Sequence, residues 1–193
     1  VTFYRRRLPH VSVTEEPTFL TWRLHGSLPP NQSFPGGTLT SGEAFAALDR
    51  LFDEARTGPF HLRRHKLADM VVEAIYYSAT VLGHYDLHAF VVMPNHIHLL
   101  VTPLARLPLL TKSLKGITAK RANEMLNRTG SPFWQEESYD HQVRHVGEFD
   151  KIRSYIEQNL VRAGLVNEVN EYRWSSARWP TGASPADQGV RPT

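Results

Sequence analysis

The apolar residues of this chain fall into two periods, and the changes between them mark out its elements. The stretch Thr18-Phe19-Leu20-Thr21-Trp22-Arg23-Leu24 has the β-branched and aromatic content of a strand. From Lys66 to Val81 the spacing turns helical, with Leu67, Met70, Val71, Ala74, Ile75 and Ser78 on one face suited to covering a sheet. Between Tyr85 and Pro103 two runs rich in Val, Leu and Phe flank Met93-Pro94-Asn95, which predicts two adjacent antiparallel strands and a tight connection. A helix is predicted from Leu109 to Leu126, with Leu110, Leu114, Ile117, Arg121 and Met125 as its apolar stripe. Ser138 to Arg144 reads as a further strand. The last helix runs from Glu148 to Ala163 on a stripe of Phe149, Ile152, Ile156, Leu160 and Ala163, and Gly164 ends it. Tyr155 and Asn159 lie together, one step to the side of that stripe.

Two less regular regions complete the pattern. Gly26 to Gly42 is a Pro, Gly, Ser and Thr-rich loop, and Ala44 to Phe52 has helical spacing that Gly58-Pro59 breaks. From Pro180 the composition predicts a disordered tail. The order of elements fits a ferredoxin-like α+β sandwich: one antiparallel sheet carrying the His-x-His strand, with helices mainly on one face. Residues 1–179 are expected to form a single domain and 180–193 the tail.

Composition narrows the setting. The 193 residues include no cysteine, which excludes disulfides and thiolate-metal sites and permits a reducing cytoplasm. The apolar runs fall short of membrane-spanning length and the start has no signal-peptide pattern, so the expectation is a cytoplasmic protein without a membrane partner. A net charge of +3 is compatible with a polyanion without identifying one.

The chemistry concentrates in His96-Ile97-His98, at the start of the second strand of the hairpin. Strand side chains alternate, so His96 and His98 share a face and Ile97 points into the opposite layer. The pair offers two imidazole ligands, or two hydrogen-bonded polar residues at a sheet margin. His61/His65 and His141/His145 are four apart but lack the glutamate of a zinc-protease motif, and they read as surface or hydrogen-bonded residues, as do His84 and His88.

Met93-Pro94-Asn95-His96-Ile97-His98-Leu99-Leu100-Val101 resembles the His-hydrophobic-His block of the IS200-like, single-tyrosine transposases, especially their REP-associated relatives. The resemblance extends through Gly130-Ser131-Pro132-Phe133-Trp134-Gln135, Tyr139-Asp140-His141-Gln142-Val143-Arg144, the run from Tyr155 to Val166, and Tyr172-Arg173-Trp174-Ser175-Ser176. It implies the ferredoxin-like core and a metal-dependent endonuclease and strand transferase that nicks single-stranded or hairpin DNA. Tyr155 would be the nucleophile, forming a 5′-phosphotyrosine. His96, His98 and Asn159 would hold a divalent ion, Mg²⁺ or Mn²⁺. The chain has Asn159-Leu160 where the family often has Asn-Pro, and Lys120 to Asn127 contains no tyrosine, which favours Tyr155. Tyr139, ahead of Asp140-His141, is the competing nucleophile.

Further expectations concern the partner. The arginine-rich start, Arg5, Arg6 and Arg7, resembles a segment that contacts DNA beside a hairpin. Lys112, Lys115, Lys120, Arg121 and Arg144 add positive charge that suits either nucleic acid or a solvated face. Phe133 and Trp134 read as core residues rather than base-stacking groups. A monomer is expected, with a tyrosine-exchanging dimer as the alternative. Two other functions fit less of the sequence: a domesticated DNA-binding regulator without turnover, and a small metallohydrolase using His-x-His.

Overall fold

The structure is a computed structural model that describes residues 15–27, 50 and 58–178. Its elements are β1 (Thr18–Arg23), α1 (His65–Thr80), β2 (Tyr85–Val92), β3 (His96–Pro103), α2 (Leu107–Met125), β4 (Tyr139–Gln142) and α3 (Val146–Arg162). The strands form one antiparallel sheet in the order β2-β3-β1-β4, as the ferredoxin-like expectation requires. Apart from Arg50, the predicted Ala44–Phe52 helix lies outside the described residues, as do Arg5 to Arg7 and the tail from Pro180.

Both faces of the sheet are covered, and this explains why β3 reads as an almost unbroken apolar run. Leu20, Trp22, Phe90, Val92, Ile97, Leu99 and Val101 face α1 and α2. Phe19, Ala89, Val91, Met93 and Leu100 face α3, meeting Ile156 and Leu160. Two helices therefore share one face, and the third covers the other. His96 and His98 alternate with Ile97 and Leu99, so they fall on the α3 face.

The predicted face of α1 is buried throughout, from Leu67 to Ser78. The stripe of α2 differs from expectation. Leu110 and Leu114 are buried, but Thr118, Ala122 and Asn123 continue the buried face, while Ile117 and Met125 are exposed. Thr118 can replace a larger apolar residue because its hydroxyl is satisfied: it donates to Leu114 O at 2.6 Å and accepts from Trp134 Nε1 at 2.8 Å.

Local chemistry fixes both ends of α3. His145 is its N-cap and accepts from Glu148 N through Nδ1. At the other end Gly164 adopts φ +68°, Gly164 N donates to Val161 O and Leu165 N donates to Leu160 O. This pair of reversed bonds is a Schellman closure, which favours glycine at the left-handed position.

A short clasp covers the outer edge of β2. Trp174 O accepts from Val92 N, Tyr172 Oη donates to Val92 O, and Ser176 Oγ accepts from Phe90 N. Trp174 Nε1 is tied in turn to Asp69 on α1 at 2.8 Å.

Candidate active site

His96 and His98 are fully buried, in a strand paired on both sides. Their Nε2 atoms stand 3.0 Å apart. Each ring is held from behind: Asn95 Oδ1 lies 2.7 Å from His96 Nδ1, and Thr21 Oγ1 lies 2.6 Å from His98 Nδ1. Thr21 faces His98 across the β1–β3 ladder, and Asn95 is the last residue of the connection before β3. Phe19 stacks against His98 with centroids 5.6 Å apart.

α3 brings the remaining groups. Asn159 is fully buried, with Nδ2 3.3 Å from His98 Nε2. One turn earlier, the Tyr155 ring lies edge-on to His98 at 6.1 Å and to Phe19 at 6.5 Å. Tyr155 is only half-buried, so it borders both the imidazoles and solvent. Arg162, two turns further along, sets its guanidinium 4.5 Å above the Tyr155 ring centre, a cation–π geometry.

The donor set fits a divalent cation. Two imidazole nitrogens 3.0 Å apart subtend an edge near a right angle at a metal–nitrogen distance of roughly 2.1 Å. A half-turn of the Asn159 amide would add a neutral oxygen. Two imidazoles and an amide leave half of a six-coordinate shell to solvent or substrate oxygen, as a hard cation at a phosphate requires. Among the described residues no group of three or more His, Cys, Asp or Glu stands together to hold a metal ion.

Of the predicted site residues, the fold thus brings together His96, His98, Tyr155 and Asn159. Tyr139 sits on the same face, but its ring packs on Phe19 at 6.3 Å, with Tyr155 the tyrosine ring beside His98. The cations of α2 lie across the sheet from the histidines. Lys115 Nζ donates to the carbonyls of Gln135 and Glu136, and Arg121 pairs with Glu73 at 2.6 Å. Lys112 and Lys120 are exposed, as is Arg144 after β4. Lys112 and Lys115 line a cleft of about 680 Å³ between α2, β1, β4 and the Phe133–Glu136 segment, which is on the far face and not at the histidines.

Several other described histidines have structural partners. His84 meets Ser78, His88 meets Thr102, His61 meets Arg128, and His141 pairs with Glu148 at 2.8 Å. Phe133 and Trp134 are core residues. Sequence reasoning did not single out Thr21 or Asn95. It also passed over Arg23, which stands across from His96 on β1; burial lowers its guanidinium pKa, partly offset by Glu137.

Comparison with known proteins bears on the family and the fold. The profile of the family described as "Transposase IS200 like" matches residues 63–159, half of the chain. A solved REP-associated tyrosine transposase bound to a REP hairpin shares the fold at a TM-score of 0.57 and 15% identity, covering 100% of this chain and 89% of that one. A putative transposase from Deinococcus radiodurans R1 aligns at 20% identity over 80% of this chain and 98% of its own, with a TM-score of 0.37. No curated protein matches the chain in sequence.

Proposed function

The chain belongs to the IS200-like transposase family, and from that premise we propose that it nicks and rejoins single-stranded or hairpin DNA through a covalent bond to Tyr155. The observation that carries the reading is the convergence on one sheet face: a single helix delivers Tyr155 and Asn159 one turn apart against two histidines whose Nε2 atoms face each other.

In the proposed step the phenolic oxygen of Tyr155 attacks the scissile phosphorus and the bond to the 3′ oxygen breaks. The phosphate becomes an ester of the tyrosine, the phenolic proton passes to solvent, and the departing 3′ oxygen takes up a proton to leave a free 3′-hydroxyl. Attack by another 3′-hydroxyl reverses every bond change, so joining needs no nucleotide hydrolysis. A phenol has an ordinary pKa of about 10, so the site must favour negative charge on its oxygen as it attacks. Arg162 supplies a positive charge at the ring, and its planar fork suits phosphate oxygens. Phe19 and His98 pack edge-on with the ring and fix its orientation. His96 Nε2, His98 Nε2 and the Asn159 amide oxygen would hold Mg²⁺ or Mn²⁺, which when bound supplies Lewis-acid polarisation of the phosphate.

A REP-associated transposase of the same fold binds a REP hairpin, which supports hairpin DNA as the substrate here. Lys112, Lys120 and Arg144 would serve as contacts to its backbone away from the scissile phosphate, with Arg5, Arg6 and Arg7 as further contacts. Because one chain supplies the tyrosine, both histidines and Asn159, a monomer has the whole constellation.

The test uses hairpin oligonucleotides from the DNA flanking the gene, labelled at either end, incubated with Mg²⁺ or Mn²⁺ and run on denaturing gels. A protein–DNA adduct carrying the label 3′ of the nick, absent in Tyr155→Phe and in His96→Ala, is expected. Nicking that survives Tyr155→Phe would refute the tyrosine mechanism. Binding with no adduct under either metal would instead favour a regulator without turnover.

A further inference from the structure

The histidines of the site have their backs to two neutral residues, and the chemistry of these two differs. We infer that Asn95 and Thr21 are positioning residues that set the tautomers of His96 and His98, so that both Nε2 lone pairs can be turned on one cation. This rests on the metal-dependent reading above.

Asn95 Oδ1 is a carboxamide oxygen, which only accepts. At 2.7 Å from His96 Nδ1 it therefore holds the proton on Nδ1 and leaves Nε2 as a bare lone pair aimed at His98. Asn95 is itself 2% exposed, so water does not compete for that bond. Thr21 is different, because a hydroxyl both donates and accepts. Two bare nitrogens 3.0 Å apart repel, so without a cation His98 carries its proton on Nε2, shared with His96 Nε2 and with the Asn159 amide turned to present its oxygen there, and Thr21 donates to His98 Nδ1. When a cation takes the place of that proton, the His98 proton moves to Nδ1 by exchange with solvent. The Thr21 hydroxyl then turns to accept it. The ring keeps its hydrogen bond in both states and no net proton is released. A fixed acceptor behind one histidine and a reversible partner behind the other thus keep the pair oriented whether or not it is loaded. Such partners behind ligating histidines are worth about 10–100-fold in metal affinity.

The experiment reads ring-nitrogen shifts of ¹⁵N-histidine-labelled, metal-free full-length protein at pH 8, and Mn²⁺ binding from loss of the free-ion EPR signal. His96 is expected as the Nδ1–H tautomer and His98 as the Nε2–H tautomer. Asn95→Ala should mix the His96 tautomers and weaken Mn²⁺ binding about 10–100-fold, while Asn95→Asp, which still accepts, should preserve the tautomer. Thr21→Val should weaken Mn²⁺ binding by a similar factor and Thr21→Ser should restore it. If His96 is protonated on Nε2, or is unchanged in Asn95→Ala, the role of Asn95 is overturned. Wild-type Mn²⁺ affinity in a folded Thr21→Val variant overturns that of Thr21. A wild-type protein that leaves the Mn²⁺ signal untouched would sink the metal reading of the site, while the nitrogen shifts still decide the tautomers.

Discussion

Removing the carboxylate of Asp69 should loosen the clasp on β2 without unfolding the domain. Asp69 Oδ1 accepts from Trp174 Nε1 at 2.8 Å and from Arg173 at 2.9 Å. In Asp69→Ala the indole N–H of a residue only 9% exposed loses its charged acceptor, a loss of about 1–3 kcal/mol. The Arg173 pair is roughly half exposed and adds at most ~1 kcal/mol. About 2 kcal/mol is therefore expected, and it should act first on the bonds the clasp makes, from Val92 N to Trp174 O and from Phe90 N to Ser176 Oγ. At 1.4 kcal/mol per tenfold, 2 kcal/mol corresponds to roughly 30-fold faster amide exchange at Phe90 and Val92. The amides of β3, which pair with β2 and β1 inside the sheet, should change less. Native-state hydrogen exchange by NMR separates these groups. Equal acceleration of β2 and β3 amides would mean that Asp69 supports global stability alone, and no change at Val92 would refute the clasp. Val91 pairs with His98 in the ladder, so the same variant tests whether the sheet edge supports the site.

Two further outcomes follow from the ends of α3. Gly164→Ala places a side chain at φ +68° with open space around it, so the loss should be conformational alone, about 1–2 kcal/mol in urea unfolding; an unchanged midpoint would contradict the left-handed closure. Hydrogen bonds from the Arg144 amide and from His141 hold the Glu148 carboxyl pKa below its ordinary value. A depressed carboxylate stabilises above the unfolded pKa of about 4.3 and loses that contribution as pH falls through the folded value. Wild type should therefore exceed Glu148→Gln in thermal stability at pH 7, with the difference shrinking below about pH 4; a difference that grows on acidification would reverse the assignment.

The parts of this fold that were legible in the sequence are those where one period dominates. The face of α1 is buried at every predicted position, and the stripe of α3 packs through Ile156 and Leu160 against β2 and β3. The α2 stripe departs from expectation because hydropathy ranks Ile117 and Met125 above Thr118, whereas the fold buries the threonine whose hydroxyl has two local partners. Periodicity also does not say which layer a helix joins. The clue lay in the strands: Phe19, Ala89, Val91 and Leu100 put apolar surface on the histidine face as well, and such a face needs a cover.

The site divides along the same line. His96, His98, Tyr155 and Asn159 could be named from spacing and family likeness, because each is an unusual residue in its pattern. Thr21 is an ordinary strand residue and Asn95 an ordinary turn residue, and only burial and a distance under 3 Å to a ring nitrogen mark them out. The Tyr172–Ser176 block shows the opposite case. Its likeness to the family was plain from the sequence, yet its contacts are with the edge of β2 and with Asp69 rather than with the histidines. A residue pattern shared across a family can therefore mark the scaffold as readily as the chemistry. Here the two are joined through β2, whose outer edge carries the clasp and whose inner edge pairs with the strand that holds both histidines.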